Sequence, residues 1–381
     1  MTSLLDKMAR RREELARGGL LRQRRCFAAA PGRERLLHPV AQAQATGKPL
    51  LDFAANDYLG LARHPKVISA LAKGAESYGC GSGASPLVSG YSEAHLKLEQ
   101  GLCRTLGAEA ALLFSCGFAA NTALMKTLFS AEDTVIADKL VHASMIDGLR
   151  DSKAKIRRFA HNDMAAATTL LARHPGSAVL TETVFSMDGD RAPLGKLSHL
   201  CQEHGSPLIL DDAHGFGLFE SSSLPVFARL VTFGKALGGQ GAAIVGSQEL
   251  IDYLVANARE YIYSTALSPA CCVGVLEALE LIQQEPLLER LNANIALFRR
   301  SCQVAGISLM PSESPIQPLL VGESDRCMAL AARLLERGFL VGAIRPPTVP
   351  KGSARLRITL SAEHREQDIL ALASALAELM A

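Results

Sequence analysis

The stretch "LVTFGKALGGQGAAIVGS", residues 230–247, contains a single charged side chain, Lys235, near the end of the first of two apolar runs. The runs at 230–236 and 241–247 are short, apolar and bounded by glycine, which predicts two buried strands. Four glycines and no other charge surround the lysine in the connection. A solvated lysine needs no glycines around it, so this setting favours a lysine whose backbone lies close to a bulky ligand.

Short apolar runs alternate with helical patterns on both sides of this stretch, from about residue 50 to residue 250. The further runs predicted as strands are 111–115, 134–138, 177–186 and 207–214. Runs that are apolar on both faces and separated by helices are typical of a mostly parallel sheet covered by helices. Strands and helices alternate on a smaller scale after about residue 285. We therefore predict an N-terminal helical segment (1–50), a large α/β domain (51–285) and a smaller α/β domain (286–381).

The composition indicates a globular protein with an ordinary core. Its 381 residues carry 40 basic and 38 acidic side chains, a net charge of about +2, which does not favour nucleic-acid binding. The exception is an arginine-rich stretch at 10–25, with Leu4, Leu5, Met8 and Leu15 at near-helical spacing. We predict an amphipathic helix lying on the body of the protein. A nucleic-acid arm is the less favoured alternative.

The nine cysteines form no Cys-x-x-Cys pair, and their number is odd. This usage predicts reduced, buried thiols in a cytosolic protein rather than a disulfide or zinc framework. The sequence shows no signal-peptide pattern and no run of 18 apolar residues. We therefore expect a soluble, cytoplasmic protein.

Three common nucleotide and metal motifs are absent. Lys235 lacks the first glycine of a phosphate-binding P-loop, six residues earlier, and the Ser or Thr that follows the lysine. The "GFGLFE" stretch at 215–220 lacks the third glycine of a dinucleotide fingerprint. His142, His161, His204 and His214 lack His or Cys partners at ligand spacing, so we predict no metal site.

Candidate site residues follow several predicted strands, at the edge where open α/β sheets bind their ligands. They are Gly117, Phe118 and Asn121; His142 and Ser144; Ser186 and Asp188; Asp211 and His214; Thr232 and Lys235. A lysine can form a Schiff base, a carboxylate can keep a pyridine nitrogen protonated, and a helix N-terminus can bind a phosphate. Taken one at a time, these residues are turn, cap or surface residues more often than functional ones. Their occurrence at consecutive strand ends favours a pyridoxal 5'-phosphate site.

The same residues lie within longer motifs that resemble the α-oxoamine synthase family. The motifs are "NDYLGLARHP" (56–65), "GSGASPLVSGYSEAHLKLE" (81–99), "HNDM" (161–164), "VFSMDGD" (184–190), "DDAHGFG" (211–217), "TFGK" (232–235) and "IRPPTVPKGSARLRITLSAEH" (344–364). The resemblance covers the chain from about residue 10 to its C-terminus. It implies a pyridoxal-phosphate enzyme of fold type I, aspartate-aminotransferase-like, which condenses an amino acid with an acyl thioester and releases CO2. Such enzymes are usually homodimers with the active site at the subunit interface.

Branches of this family differ in the amino acid and in the acyl chain. Here "DDAHG" and "AIRPPTVP" resemble the branch that joins L-alanine to a pimeloyl thioester in biotin biosynthesis, with pimeloyl-CoA or pimeloyl-acyl-carrier protein as the donor. The alternative is a family member that uses glycine or serine with a different acyl-CoA. A catalytically silent subunit is a third possibility, and Lys235 argues against it.

The resemblance also implies roles for individual residues. Lys235 would hold the cofactor and act as general base, Asp211 would pair with the pyridinium nitrogen, and His142 would stack on the ring. His214 and Ser186 would bind the phenolate oxygen. The residues expected at the phosphate are Gly117, Phe118 and Thr232, with Thr265 reaching it from the other subunit.

Substrate contacts follow from the same resemblance. Arg357 would bind the substrate carboxylate through a bidentate pair, with Asn56 nearby. Arg22 and Thr348 would contact the acyl substrate. The glycines around Lys235 would leave room for the cofactor and for the moving lysine.

Two features depart from the family pattern. The segment 218–230 is shorter than the family leads us to expect, and Pro86 and Leu87 stand where many relatives have other residues. Neither departure removes an expected catalytic residue. The arginines at 10–25 also suggest a hypothesis, that they dock an acidic carrier protein.

Overall fold

The computed structural model describes residues 3–18, 20–22, 24–28, 34–38 and 49–380. The chain separates into two compact units, Asn56–Arg290 and a second one made of Met1–Ala55 with Leu291–Ala381. The predicted division into three domains at residues 50 and 285 stays a prediction.

Helices and strands alternate along most of the described chain. The helices are α1 (Leu4–Arg17), α2 (Pro65–Tyr78), α3 (Glu93–Leu106), α4 (Gly117–Leu128), α5 (Ala143–Ser152), α6 (Met164–Arg173), α7 (Leu194–Glu203), α8 (Gln248–Asn257), α9 (Arg259–Ile262), α10 (Pro269–Gln284), α11 (Leu287–Val304), α12 (Ser324–Glu336) and α13 (Glu366–Met380). The strands are β1 (Cys26–Ala28), β2 (Glu34–His38), β3 (Pro49–Asp52), β4 (Ala110–Phe114), β5 (Thr134–Asp138), β6 (Lys155–Phe159), β7 (Ala178–Glu182), β8 (Leu208–Asp211), β9 (Ala228–Thr232), β10 (Ala242–Gly246), β11 (Ile316–Gly322), β12 (Phe339–Leu340), β13 (Gly342–Ile344) and β14 (Ala354–Thr359).

The unit Asn56–Arg290 is built on one seven-stranded sheet in the order β4-β10-β9-β8-β7-β5-β6. Strands β5 to β9 pair in parallel, and β10 runs antiparallel to both β4 and β9. The mostly parallel α/β fold predicted from the apolar runs is therefore confirmed.

Successive strand residues point to opposite faces of this sheet, and each face is covered. In β5, for example, Val135 and Ala137 belong to one cluster of buried apolar side chains, and Ile136 belongs to another. Burial on both faces explains why these strands are continuous apolar runs rather than alternating ones.

Local sequence signals set several helix limits in the same unit. Ser92 and His95 form a reciprocal cap at the start of α3, and Gly107 ends that helix in the left-handed conformation. Asp163 caps α6 by accepting a hydrogen bond from the amide of Ala166. These are ordinary capping interactions, and they satisfy backbone groups at the helix ends.

The other unit contains two small sheets, β1-β2-β3-β12 and β11-β14-β13. In the first, β3 pairs in parallel with β12, so Leu51 lies opposite Phe339. The N-terminal strands thus share a sheet with a strand near the C-terminus. Helices α12 and α13 bury apolar residues in this unit, among them Leu334 and Leu376.

The N-terminal amphipathic helix forms as predicted, but its packing differs from the prediction. α1 begins with a capping box at Ser3 and contains no buried residue. Leu4, Leu5 and Met8 are exposed, so the described chain does not cover the apolar stripe that was expected to lie on the body.

The cysteines also differ in part from the expectation. All nine are free thiols, but only Cys201, Cys272, Cys302 and Cys327 are buried, and Cys26, Cys80 and Cys116 are exposed. Among the described residues, no cluster of three or more His, Cys, Asp or Glu side chains could hold a metal ion. No described helix combines the length and the apolar character needed to cross a membrane.

Candidate active site

A cavity of about 330 Å³ lies at the carboxyl ends of β7, β8 and β9. The sequence-predicted residues that line it are Asn56, Gly117, Phe118, His142, Asp211, His214, Thr232 and Lys235. They come from loops that follow different strands, and the parallel sheet brings those loops to one edge.

Lys235 follows β9 in a tight glycine-rich connection. Its side chain is partly buried, and its Nζ donates a hydrogen bond to Thr232 Oγ1 at 3.4 Å. Gly238 has a φ of 62°, and a Cβ there would lie 2.1 Å from the backbone nitrogen of Ala62. Gly241 has a φ of 110°. These two glycines are needed for backbone conformation and, at Gly238, for close packing, which is a different reason from the room for a ligand that the sequence suggested.

Asp211, the last residue of β8, is buried and held by two donors. Its Oδ2 accepts a hydrogen bond from Asn121 Nδ2 at 2.7 Å, and its Oδ1 accepts one from the amide of Ala213 at 3.0 Å. Asn121 Nδ2 also donates to Ser144 Oγ at 3.0 Å. Ser144 Oγ is 2.7 Å from His142 Nδ1, so one polar chain connects the buried carboxylate to the exposed imidazole.

His214 lies three residues after Asp211 and is also buried. Its Nδ1 is 2.6 Å from the hydroxyl of Tyr58, a fully buried side chain. That hydroxyl donates in turn to Asn56 Oδ1 at 3.2 Å. Tyr58 therefore links two residues that the sequence predicted as separate parts of the site.

Glu182, at the end of β7, is a second buried carboxyl group in the cavity wall. It lies directly beside Asp211 in the register of the sheet, since the two residues are Cα partners. Burial raises the pKa of Glu182 well above its usual range, and the negative charge of Asp211 raises it further, while Lys235 acts in the opposite direction. Glu182 therefore holds its proton more strongly in the folded chain than an exposed glutamate does.

Helix α4 starts at the cavity with Gly117. Its N-cap, Cys116, makes no side-chain capping bond within the described chain, so the first amides of the helix remain available to an anion. A Cβ on Gly117 would lie 2.6 Å from Thr232 Cγ2, so this position requires glycine. Phe118 is half exposed, and its ring meets that of His142 edge to face at 6.5 Å.

Two predicted residues do not line the cavity in the described chain. Ser186 lies in the turn after β7, and Thr265 is exposed between α9 and α10. Three others belong to the unit made of the two chain ends. There, Arg22 Nη2 donates to Thr348 Oγ1 at 3.3 Å, and Arg357 is buried in β14 with its Nη1 donating to Thr359 Oγ1 at 3.3 Å.

The sequence interpretation missed the roles of Tyr58 and Glu182. Tyr58 lies inside the quoted motif at 56–65, but its partner His214 is 156 positions away. Glu182 carried a usable signal, because an acidic residue within an otherwise apolar strand usually needs a specific partner or function.

A family model described as aminotransferase class I and II matches residues 48–376. The chain therefore belongs to the class I and II aminotransferase family. The sheet order and the lysine at a strand end are consistent with that membership.

Within this family, the chain is similar to the 8-amino-7-oxononanoate synthase of Aeromonas salmonicida (strain A449). The two are 47% identical over 345 residues, which are 87% of this chain and 86% of the relative. The solved 8-amino-7-oxononanoate synthase from Francisella tularensis is 30% identical with a TM-score of 0.75, over 86% of this chain and 97% of that one. Serine palmitoyltransferase from S. paucimobilis, solved with a bound PLP–myriocin aldimine, is 26% identical with a TM-score of 0.90, over 99% and 98% of the two chains.

Proposed function

We propose that the protein is a pyridoxal-phosphate-dependent acyltransferase of the α-oxoamine synthase type. It condenses L-alanine with a pimeloyl thioester to give 8-amino-7-oxononanoate, CO2 and a free thiol, in biotin biosynthesis. The observation that carries this proposal is the cavity that combines Lys235, Asp211 and His142, in a chain 47% identical to an 8-amino-7-oxononanoate synthase.

The residues around the cavity fit the cofactor chemically. The cavity offers an amine at Lys235, an acidic side chain at Asp211, an exposed imidazole at His142 and an uncapped helix start at Gly117. The buried Asn121 Oδ1 also has no hydrogen-bond partner among the described residues, so an acceptor remains for a donor group. When bound, pyridoxal phosphate supplies an aldehyde for amines and a protonated ring that accepts the electron pair of a breaking Cα bond.

Each side chain has a proposed task in holding the cofactor. Asp211 favours a protonated ring nitrogen, and its two donors, Asn121 and Ala213, keep it oriented. His142 stacks on the ring, with its Nδ1 fixed by Ser144. His214 and Ser186 bind the phenolate oxygen, and the start of α4 with Thr232 binds the phosphate.

Lys235 is the proposed base. Its Nζ removes the Cα proton of alanine and later returns a proton to the product carbon after CO2 has left. The partial burial of the side chain and its 3.4 Å bond to Thr232 Oγ1 hold the amine at the cavity wall. The glycine-rich connection fixes the backbone from which this side chain reaches.

Substrate recognition is proposed to use the residues that the family resemblance implies. Arg357 binds the carboxylate of the amino acid through its guanidinium, which suits a bidentate pair, and Asn56 lies near that carboxylate. Arg22 and Thr348, joined by a hydrogen bond, contact the acyl substrate. The acyl carrier is coenzyme A or an acyl-carrier protein. The working protein is a cytoplasmic homodimer in which Thr265 reaches the phosphate of the partner's site.

The test offers alanine, glycine and serine in parallel with pimeloyl thioester, and measures thiol release and product mass. Turnover with alanine that yields the mass of 8-amino-7-oxononanoate is expected. Turnover only with serine or glycine would favour the alternative branch, which the TM-score of 0.90 to serine palmitoyltransferase keeps relevant.

A matched pair of lysine variants controls this assay. Lys235→Ala is expected to reduce turnover by at least about a hundredfold, since it removes both the anchoring amine and the base. Lys196→Ala, on the exposed face of α7, is expected to behave like the wild type. Equal activity of the two variants would contradict the role of Lys235.

A further inference from the structure

His161, the first residue of the motif "HNDM", bonds to two acidic side chains outside the cavity, those of Asp138 and Asp190. His161 follows β6, and its Nδ1 is 3.0 Å from Asp138 Oδ1. Its Nε2 is 2.7 Å from Asp190 Oδ2. A neutral imidazole can donate from only one of its nitrogens, so bonds to two carboxylates require the protonated ring.

The first acidic side chain, that of Asp138, stands where the loop to His142 begins. Asp138 is the last residue of β5 and is completely buried. Its Oδ1 accepts a hydrogen bond from the amide of Leu140 at 2.8 Å, and its carbonyl accepts one from Val141 at 3.3 Å. Asp138 therefore fixes the short connection between β5 and His142.

The second acidic residue, Asp190, closes the turn that contains Ser186 through its backbone carbonyl. The amide of Phe185 donates to the carbonyl of Asp190 at 3.0 Å, and the amide of Gly189 donates to the carbonyl of Phe185 at 2.8 Å. The ring of Phe185 also meets the imidazole of His161 edge to face at 4.3 Å. The turn is thus bonded and packed against the same ring.

Asn162 adds a second connection between the two segments. Its backbone nitrogen donates to Asp138 Oδ2 at 2.8 Å, and its side-chain Nδ2 donates to Asp190 Oδ2 at 3.0 Å. Asn162 has a φ of 56°, a conformation that asparagine tolerates better than most residues. Two successive residues after β6 therefore bridge the same pair of acidic groups.

We propose that His161 is a positioning residue, an imidazolium that joins the loop of His142 to the turn of Ser186 and so fixes both segments for cofactor binding. Only the assignment of His142 and Ser186 to the cofactor rests on the proposed function. The bridge itself, formed by the hydrogen bonds of His161 to Asp138 and Asp190, is present in the chain without any ligand.

The electrostatics of the ring agree with this geometry. Burial acts to lower the pKa of His161, but the hydrogen bonds and charges of Asp138 and Asp190 outweigh it and raise the pKa to about 9. The pKa of His161 in the folded chain lies above the ordinary histidine pKa of about 6.5. The bridge therefore contributes fully to folding stability below about pH 6.5. Its contribution falls as the pH rises through about 9.

The first experiment uses the apoprotein, so that it does not depend on the proposed reaction. Histidine-labelled protein is titrated by NMR from pH 6 to 10, and the signal missing in His161→Gln identifies the ring. We expect a midpoint near 9, against about 6.5 for an ordinary histidine. A midpoint at or below 6.5 would show that His161 is not stabilised as an imidazolium, and it would overturn the proposal.

The second experiment measures hydrogen exchange of the peptides that contain residues 138–142 and 185–190, at a single pH. In His161→Gln, both peptides are expected to exchange faster than in the wild type, because glutamine cannot donate charged bonds in two directions. The matched control is His199→Gln, whose exposed ring lies 3.3 Å from a single carboxylate, that of Glu203 on α7. Unchanged exchange in both peptides of His161→Gln would refute the positioning role.

Cofactor titration of the same apoproteins separates the two proposals. His161→Gln is expected to bind pyridoxal phosphate more weakly by a factor on the order of tenfold, a typical coupling between groups in one network. Wild-type protein that binds no pyridoxal phosphate would contradict the proposed function and leave the exchange result standing. Equal binding by wild type and variant would contradict the effect of the bridge on the site.

A second variant keeps the test decisive if His161→Gln does not fold. Asp190→Asn retains the bond of His161 to Asp138 but removes one negative charge. We expect the midpoint of the His161 titration to fall and the peptide 185–190 to exchange faster than the peptide 138–142. Equal protection of both peptides, with an unchanged midpoint, would count against the bridge.

Discussion

The side chain of Asn121 connects the buried Asp211 to Ser144. Its Nδ2 lies 2.7 Å from Asp211 Oδ2. Asn121→Ala is expected to weaken pyridoxal-phosphate binding by about 1.5–3 kcal/mol, the usual contribution of a hydrogen bond to a charged group. Asn121→Asp is expected to weaken it more, because two acidic groups would then face each other. Titration of the apoproteins with cofactor measures both effects.

The control for this pair is Asn257→Ala, an exposed asparagine on α8 whose Nδ2 bonds only to the carbonyl of Tyr253 among the described residues. It is expected to bind cofactor like the wild type. The explanation would fail if Asn121→Asp bound as tightly as Asn121→Ala.

The raised pKa of Glu182 makes the stability of the protein depend on pH in a defined direction. Burial and the charge of Asp211 raise the pKa of Glu182 in the folded chain, whereas the same group in the unfolded chain has its ordinary pKa of about 4.3. The unfolded state therefore binds fewer protons, and this group makes folding less favourable as the pH rises above that value.

Glu182→Gln removes this titration while keeping the shape of the side chain. The variant is expected to gain thermal stability relative to the wild type as the pH increases from 5 to 8, because glutamine stays neutral in both states. Melting temperatures of the two apoproteins across this range provide the measurement. Glu249→Gln, an exposed position on α8, is expected to show no such trend. A constant difference in melting temperature between Glu182→Gln and the wild type would contradict the raised pKa of Glu182.

Several residues of the cavity could be predicted because they follow predicted strands. Lys235, Asp211 and His214 each follow an apolar run, and the resemblance to a known family gave them roles. The bond between Tyr58 and His214 could not be predicted, since it joins positions 156 residues apart without any local pattern. The roles of Ser186 and Thr265 stay predictions.

Among the secondary-structure elements, the strands that are buried on both faces were the easiest to predict. β5 occurs at the predicted residues 134–138, and β4 and β10 lie within one residue of the predicted runs. β6 was not predicted, because "KIRRF" is largely exposed and places three basic residues in five. An edge strand of this kind has no continuous apolar run to mark it.

The short segment 218–230 is anchored by a buried ion pair. Arg229 Nη1 lies 2.7 Å from Asp212 Oδ2 and 2.6 Å from Ser221 Oγ, and Arg229 Nη2 donates to the carbonyl of Ser221 at 2.6 Å. Both charged side chains are almost completely buried. The pair thus ties the segment to the residue that follows Asp211.

Removal of one partner should leave the other charge buried without compensation. Arg229→Met is expected to lower the free energy of unfolding by about 3–5 kcal/mol, measured by urea denaturation. The double variant Arg229→Met with Asp212→Asn is expected to recover part of this loss, since no net buried charge remains. A double variant less stable than Arg229→Met alone would show that the pair does not act by charge compensation.

At the scale of the whole molecule, the sequence pattern did not show which distant segments share a unit. The register of β3 with β12 places Leu51 beside Phe339, and only the folded chain reveals this pairing. Two-residue strands such as β12 carry too little pattern to be recognised in a sequence. The predicted domain limits at residues 50 and 285 also stay predictions.

The exposed Thr265 makes the expected homodimer testable. It does not line the cavity of Lys235 in the described chain, although the family resemblance places its counterpart at the cofactor phosphate. If Thr265 serves the partner's site, Lys235→Ala and Thr265→Val should complement each other in a mixed dimer. One site of that dimer would combine the intact Lys235 of one protomer with the intact Thr265 of the other.

We expect a mixed dimer, purified through two different tags after co-expression, to show about half of wild-type thiol release, because one of its two equivalent sites is intact. Both parent homodimers should be less active than this. If Thr265 acted within its own chain, the mixed dimer would contain no intact site, and its activity would not exceed that of the Thr265→Val homodimer. Failure to recover any doubly tagged protein would contradict the dimer itself.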